Sequence, residues 1–298
     1  MKTIGTLTKH LQLLAFIMIW AIVPFTKAQQ WEMVESPGLM SEKIDFISDD
    51  KGFAIMQIIF CPSADGSSTN NNRCGSYGLF KTEDRGNSWD TVNTPLGIQS
   101  FMPINQIDFI SEDIGYIEIY NFMNGYLTLY KTEDGGISWT DVSPDTLYSM
   151  GSSTSFGTML SFVNESDGYW AKGENLYKTN DGGISWDSIK GQDIINDLSN
   201  NNKNLEQVSF YDENNGLVII NVSFPASPWT EAHVCVTSDG GQTWKANKLD
   251  ATYAGKAIQA STNTAYFTTP YGPNDSVIYS TTNSGLSWGV LIMPDEIK

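Results

Sequence analysis

The chain carries 34 acidic side chains, and a carboxylate pair at the right separation is all that glycosidic hydrolysis requires. No motif marks a particular pair. The carboxylates that recur are Asp84, Asp134, Asp181 and Asp239, with Asn283 in a fifth copy, each third in an octet Thr-x-Asp/Asn-x-Gly-x-Ser/Thr-Trp. Such a side chain accepts nearby backbone N–H groups, and a glycine two places later supplies positive φ. Five copies in one chain read as five turns, not five catalysts. Histidine chemistry would rest on His233, because His10 lies in an N-terminal leader, and no Ser or Cys is spaced to partner it. Cys235 occupies a slot held in other repeats by Phe80, Tyr130 and Tyr177, so it reads as a packed strand residue rather than a nucleophile. No metal-ligand spacing is present and no cofactor is expected.

The elements around the octets repeat with them. Ahead of each octet lies an apolar strand, such as Leu79-Phe80-Lys81 or Leu176-Tyr177-Lys178, and its Trp opens another. The five tryptophans are Trp89, Trp139, Trp186, Trp244 and Trp288. A fully buried ring contributes about 4–6 kcal/mol as an upper bound, so they are expected to form much of the core, wedged between neighbouring sheets. Further upstream, Phe46, Phe109, Phe162 and Phe210 each precede by six residues a glycine: Gly52, Gly115, Gly168 and Gly216. That pattern reads as a hairpin. The fifth copy is degenerate, with Ala265-Tyr266 in place of Gly-aromatic. Four short strands per repeat, with octets 44 to 58 residues apart, predict an all-β propeller of four-stranded antiparallel blades. Five blades are expected, with a sixth or an incomplete larger ring left open by the strand-like Trp31-Glu32-Met33-Val34. A single helical turn is expected within 187–206.

Composition bounds the setting. Lys2 and Lys9 precede an apolar run from Leu11 to Val23, then Pro24 and Thr26-Lys27-Ala28. This reads as a signal peptide over 1–28, leaving one domain over 29–298 in an exported or cell-surface protein. The run is too short to span a bilayer. Removing Lys2, Lys9 and Lys27 moves the formal charge from −17 to −20, which disfavours nucleic acid. A soluble monomer is expected. Cys61 and Cys74 flank one polar loop and suit a disulfide in an oxidising compartment, a pairing that spacing alone does not prove.

The octets resemble the Asp-box (BNR) motif of sialidases, some glycoside hydrolases and sortilin-type receptors. The longer pattern, through Leu129-Tyr130-Lys131-Thr132-Glu133-Asp134-Gly135-Gly136-Ile137-Ser138-Trp139, is most similar to photosystem II stability/assembly factor-like proteins. The resemblance implies a propeller and says little about activity. Those assembly-factor propellers are understood to have seven blades, whereas five boxes stand here. Sialidase chemistry implies three arginines on the substrate carboxylate; the chain has Arg73 and Arg85 alone, so it is excluded.

Loop length marks a face. Turns after the first and third strands of a blade share one edge and are compact here. Connections at the other edge are long: 57–76, 93–104, 143–157, 187–206 and 221–232. Binding residues concentrate in such segments. The candidates are Trp229, Phe224, Tyr120, Phe122, Tyr148 and Tyr271, with Phe101 and Trp170 beside them. The reading is an exported, non-enzymatic scaffold holding a protein or glycan. An exported glycoside hydrolase, or a repeat module of a larger surface protein, are the alternatives.

Overall fold

In four repeats a Phe closes the first strand and a Gly opens the second, and cross-strand register explains the six-residue interval. Phe46 pairs with Gly52, Phe109 with Gly115, Phe162 with Gly168 and Phe210 with Gly216. A Cβ on Gly115 would lie 2.2 Å from the Phe109 ring, and one on Gly168 2.3 Å from Phe162. The ring therefore covers the glycine, and a larger residue there would displace it. The Trp of the same blade stands edge-on to that ring, at 6.1–6.4 Å in the pairs Phe46–Trp89, Phe109–Trp139, Phe162–Trp186 and Phe210–Trp244.

The computed structural model describes residues 40–59, 75–95, 104–121, 126–144, 159–172, 174–195, 202–223, 230–249, 256–269 and 277–291. They form a β-propeller of five four-stranded antiparallel blades, each a meander of consecutive strands. The chain divides into two compact units, Met1–Met150 and Gly151–Lys298. The first holds β1 (Met40–Phe46), β2 (Gly52–Ile59), β3 (Gly75–Thr82) and β4 (Asp90–Val92) as one blade. Its second blade is β5 (Ile104–Phe109), β6 (Gly115–Asn121), β7 (Tyr126–Thr132) and β8 (Thr140–Asp141).

The second unit holds three blades. The third runs β9 (Leu160–Phe162), β10 (Gly168–Lys172), β11 (Asn175–Thr179), β12 (Asp187–Lys190). The fourth runs β13 (Asn202–Phe210), β14 (Gly216–Ser223), β15 (Thr230–Thr237), β16 (Lys245–Lys248). The fifth runs β17 (Ala257–Gln259), β18 (Ala265–Thr269), β19 (Val277–Thr281), β20 (Gly289–Leu291). One helical turn, α1 (Gly191–Ile194), follows β12. Residues 31–34 and the cysteines Cys61 and Cys74 lie outside the described residues.

Within each unit, adjacent blades are joined in two ways. Their first strands are tied by the residue before the Phe. Asp45 accepts the Phe109 N–H at 2.6 Å, Ser161 that of Phe210 at 2.9 Å, and Ser209 that of Gln259 at 3.0 Å. Gln207 adds a bidentate clasp on the Ala257 backbone, at 2.6 and 2.8 Å. Between the sheets, the residue after the glycine stacks on the next blade's Phe: Phe53 on Phe109 at 3.5 Å, Tyr169 on Phe210 at 3.4 Å. The fourth blade has Leu217 at this position, and the fifth has Gln259 where the Phe would stand, so both halves of that stack are lost together. Phe267 takes over there, edge-on to Trp288 at 4.9 Å.

The tryptophans depart from expectation in degree. All five are half-buried rather than fully buried; each stands edge-on to an aromatic ring of its own blade, and Trp139 and Trp288 also pack on the clusters shared with the preceding blade. The aliphatic and aromatic strand residues between sheets carry the core. Phe53, Ile55, Leu79, Ile107 and Phe109 join the first two blades; Leu217, Val234, Ala265 and Phe267 join the last two.

Candidate functional site

The two edges of the blades offer different chemistry. At one edge, every octet closes on itself. The threonine is buried and its hydroxyl accepts the N–H of the fifth residue: Gly86, Gly136, Gly183, Gly241 and Gly285, at 2.8–3.1 Å. The same hydroxyl donates to the third side chain, Asp84, Asp134, Asp181, Asp239 or Asn283, at 2.8–2.9 Å. That side chain then accepts the N–H of the seventh residue at 2.8–3.0 Å. In the four Asp boxes it also accepts the seventh hydroxyl, at 2.5–2.7 Å. Hydrogen bonds from Ser88, Ser138 and Ser185 hold Asp84, Asp134 and Asp181 below the ordinary carboxylate range; Asp239 is lowered too, by Thr243, against the opposing effect of burial. Both carboxylate oxygens are thus engaged in the turn, and a lowered carboxylate is a poor proton donor.

The fourth residue of each octet ties the box to the first turn of its own blade. Arg85 donates its N–H to Asp50, Gly135 to Asp113, Gly182 to Ser166, Gly240 to Asn214 and Ser284 to Asn263, at 2.8–2.9 Å. That first turn is always five residues and is capped alike. Ser48, Ser111, Asn164, Asp212 and Ser261 accept the N–H three residues on, at 2.7–3.1 Å.

At the opposite edge the connections range from two residues (173–174) to eighteen (142–159). Four are shorter than the sequence implied. Residues 57–59, 75–76, 104, 187–190 and 202–206 lie in strands, and β14 and β15 lengthen the 221–232 hairpin until 224–229 remain between them. Phe122, Tyr148, Phe224, Trp229, Tyr271 and Phe101 lie outside the described residues. Tyr120 is half-buried near the end of β6, opposite Leu127. Trp170 is a correction: it is fully buried, its ring against Tyr177 and Trp186, with the Lys172 ammonium 5.3 Å from its centroid. It is a core residue, because its strand position faces the sheet packing rather than a connection.

Sequence reasoning named His233 but missed its polar neighbours at this end of the fourth blade, the half-buried Glu206 and Glu231 and the exposed Lys248. Glu206 is pushed up by burial, against a hydrogen bond from Asn221 that lowers it. His233 is lowered by burial, and its Nε2 stands 3.6 Å from Glu231. Lys248 bonds Glu231 at 2.5 Å and draws that carboxylate down. These groups do not make a hydrolytic pair. Glu206 reaches Asn221, whereas Glu231 lies opposite Val222, and successive strand residues face opposite sides. The signal for them was polar residues in register with strand interiors beside a long connection. Among the described residues no three His, Cys, Asp or Glu side chains gather to hold a metal, and no helix is long and apolar enough to cross a membrane. The Cys235 thiol is fully buried and its titration is pushed up by burial, which keeps it unreactive.

No family model and no curated protein matches the chain. Solved structures do. A GH74 xyloglucanase from Xanthomonas campestris is similar at a TM-score of 0.57 and 12% identity, over 85% of this chain and 38% of the enzyme. The Niastella koreensis GH74 enzyme is similar at a TM-score of 0.54 and 14% identity, over 84% of this chain and 38% of its own. YCF48 bound to D1 peptide aligns over 91% of this chain and 88% of that one, at 13% identity and a TM-score of 0.43. This chain spans well under half the length of either GH74 protein. At these identities the likeness is one of fold.

Proposed function

We propose that the chain is exported after loss of residues 1–28 and acts as a non-enzymatic β-propeller scaffold, holding a protein or glycan at the edge that carries the long connections. One observation carries the reading. The five box turns are all of one length and spend their polar groups on themselves, whereas the opposite edge varies from two to eighteen residues between blades. Variation on a rigid frame is how a scaffold acquires a binding surface. Aromatic side chains in 224–229 and 270–276, Phe224, Trp229 and Tyr271 among them, would supply contact area on the second unit, and Tyr120 is the candidate on the first.

Affinity capture from the parent organism's envelope tests this. The wild-type chain should retain a partner that a Phe224→Ala/Trp229→Ala variant loses at unchanged thermal stability. The reading fails if capture survives that change but is lost on altering exposed octet residues such as Ile184. It also fails if the purified protein releases sugar from a polysaccharide panel and a single Asp or Glu substitution stops it, which would establish the hydrolase.

A further inference from the structure

The grooves between the first and second blades and between the third and fourth are the same groove built twice, and they are filled differently. In the third blade, Tyr169 stacks on Phe210 and its hydroxyl donates to the carbonyls of Glu213 and Gly240, at 3.1 and 3.4 Å. Its cross-strand neighbour Lys178 places its ammonium on the Gly240 carbonyl at 2.9 Å. The counterparts in the first blade are Phe53, stacked alike on Phe109, and its cross-strand neighbour Lys81. Phe53 has no hydroxyl. Lys81 turns instead to Glu83, at 3.2 Å, where the third box carries the uncharged Asn180.

The carbonyls of Glu112 and Gly135, equivalent to those of Glu213 and Gly240, are therefore reached by no side chain among the described residues. A cavity of about 180 Å³ stands over them. Its walls include Ile47 and the exposed Ile137, and its charged members are Lys51 and Lys81 against Glu83, Glu112, Asp113 and Asp134. Lys51 is already bonded to Glu112 and Asp134 to its own box, so the unmatched charge is negative.

We propose that this cavity binds a primary ammonium on an aliphatic chain, inserted as the Lys178 ammonium is inserted between the third and fourth blades. The ammonium would donate to the Gly135 and Glu112 carbonyls, and its methylenes would lie against Ile47 and Ile137. A free alkylamine and the lysine side chain of another protein share this chemistry. The site lies on the box edge and is independent of the scaffold reading above.

Calorimetric titration with n-butylamine, n-butanol and the peptides acetyl-Gly-Lys-Gly-amide and acetyl-Gly-acetyllysine-Gly-amide tests it. Phe53→Tyr should fill the cavity as Tyr169 does, weakening amine binding by about tenfold or more while keeping the net charge, so that diffuse attraction to an acidic protein is unchanged. Glu83→Asn should free Lys81 to occupy the carbonyls and weaken binding likewise. Butylamine should bind and butanol should not. Loss of binding on acetylating the lysine would assign the source to protein side chains, whereas exclusion of both peptides would assign it to small amines. Equal butylamine affinity in the wild type and Phe53→Tyr, or none in the wild type, overturns the proposal.

Discussion

The two edges of each blade are made from the same strands yet obey different rules. At the box edge, the turns are five and seven residues long in every blade, because the polar groups of each turn close on one another and on the neighbouring turn. An added residue would break those closures. At the other edge, the connections differ several-fold in length between blades. Loop closure costs only about 0.6 kcal/mol per doubling of length, so once no closed network fixes a segment, its length drifts at little cost. Uniform length is here the signature of internal hydrogen bonding, and variable length of freedom to acquire a partner.

The comparison breaks most visibly at the fifth octet position. Gly136 has φ +92°, and a Cβ there would lie 2.2 Å from Val92 of the preceding blade. Gly136→Ala should cost about 3 kcal/mol from left-handed strain and overpacking together, measured by urea unfolding. Gly289→Ala, where a Cβ would meet nothing within 4 Å, should be near neutral. Equal effects would mean that the box is no more constrained than an ordinary strand end. Thr132→Val comes next. It keeps the shape but removes the acceptor of the buried Gly136 N–H and a donor to Asp134, and should cost about 2 kcal/mol. By contrast, inserting two Gly-Ser residues within 145–150 should cost about 0.5 kcal/mol or less, and the same insertion within 110–114 several times more.

Acid sharpens the contrast further. The box aspartates titrate below their ordinary values when folded. Their stabilisation is therefore fully present above the unfolded pKa of about 4, and is lost as pH falls through the lower folded values. Replacing Asp84, Asp134, Asp181 and Asp239 by Asn should flatten the urea midpoint below that pH. Asn283 shows the exchange to be structurally available, since its Nδ2 donates to Ser287 at 2.9 Å where the carboxylates accept a hydroxyl. An unflattened profile would place the acid sensitivity elsewhere.

Much of this fold was legible because repetition converts weak local signals into strong ones. One Asp-x-Gly is a turn; five at blade spacing are a propeller. The Phe–Gly interval was equally plain, and the ring on the glycine supplies its cause. What escaped was the residue between the apolar positions of the first strand. It is Asp45 in the first blade but Ser161 and Ser209 in the third and fourth, so no motif shared by all blades announced that each holds the next blade's backbone. The half-buried Glu206 and Glu231 beside His233 escaped for a related reason: they occur once. Trp170 was misjudged because an aromatic near a connection looks the same in sequence whether its strand position turns it inward or outward. The candidate binding aromatics other than Tyr120 fall in segments whose lengths differ between blades, where no sister copy offers a comparison.

The smallest effect tests the uniform edge from within. At the fourth octet position Gly135, Gly182 and Gly240 have φ of 70–71°, yet Arg85 and Ser284 hold the same left-handed conformation at 67° and 54°. An L-residue there costs about 1 kcal/mol or more, whereas glycine gives back about 0.4–1 kcal/mol through its freer unfolded chain. Ser284→Gly should therefore change stability by no more than about 0.5 kcal/mol, because strain relief and chain entropy nearly cancel. Its exposed Oγ contacts with Thr262 and Asn263 are ones that water can replace. Arg85→Gly should behave alike, with a small salt-sensitive loss from its exposed pairing to Asp50. A Ser284→Gly penalty above about 1 kcal/mol would mean that side-chain bonds, rather than the backbone network shared by all five boxes, set the geometry of this turn. The uniform length of the box edge would then need a separate cause in each blade.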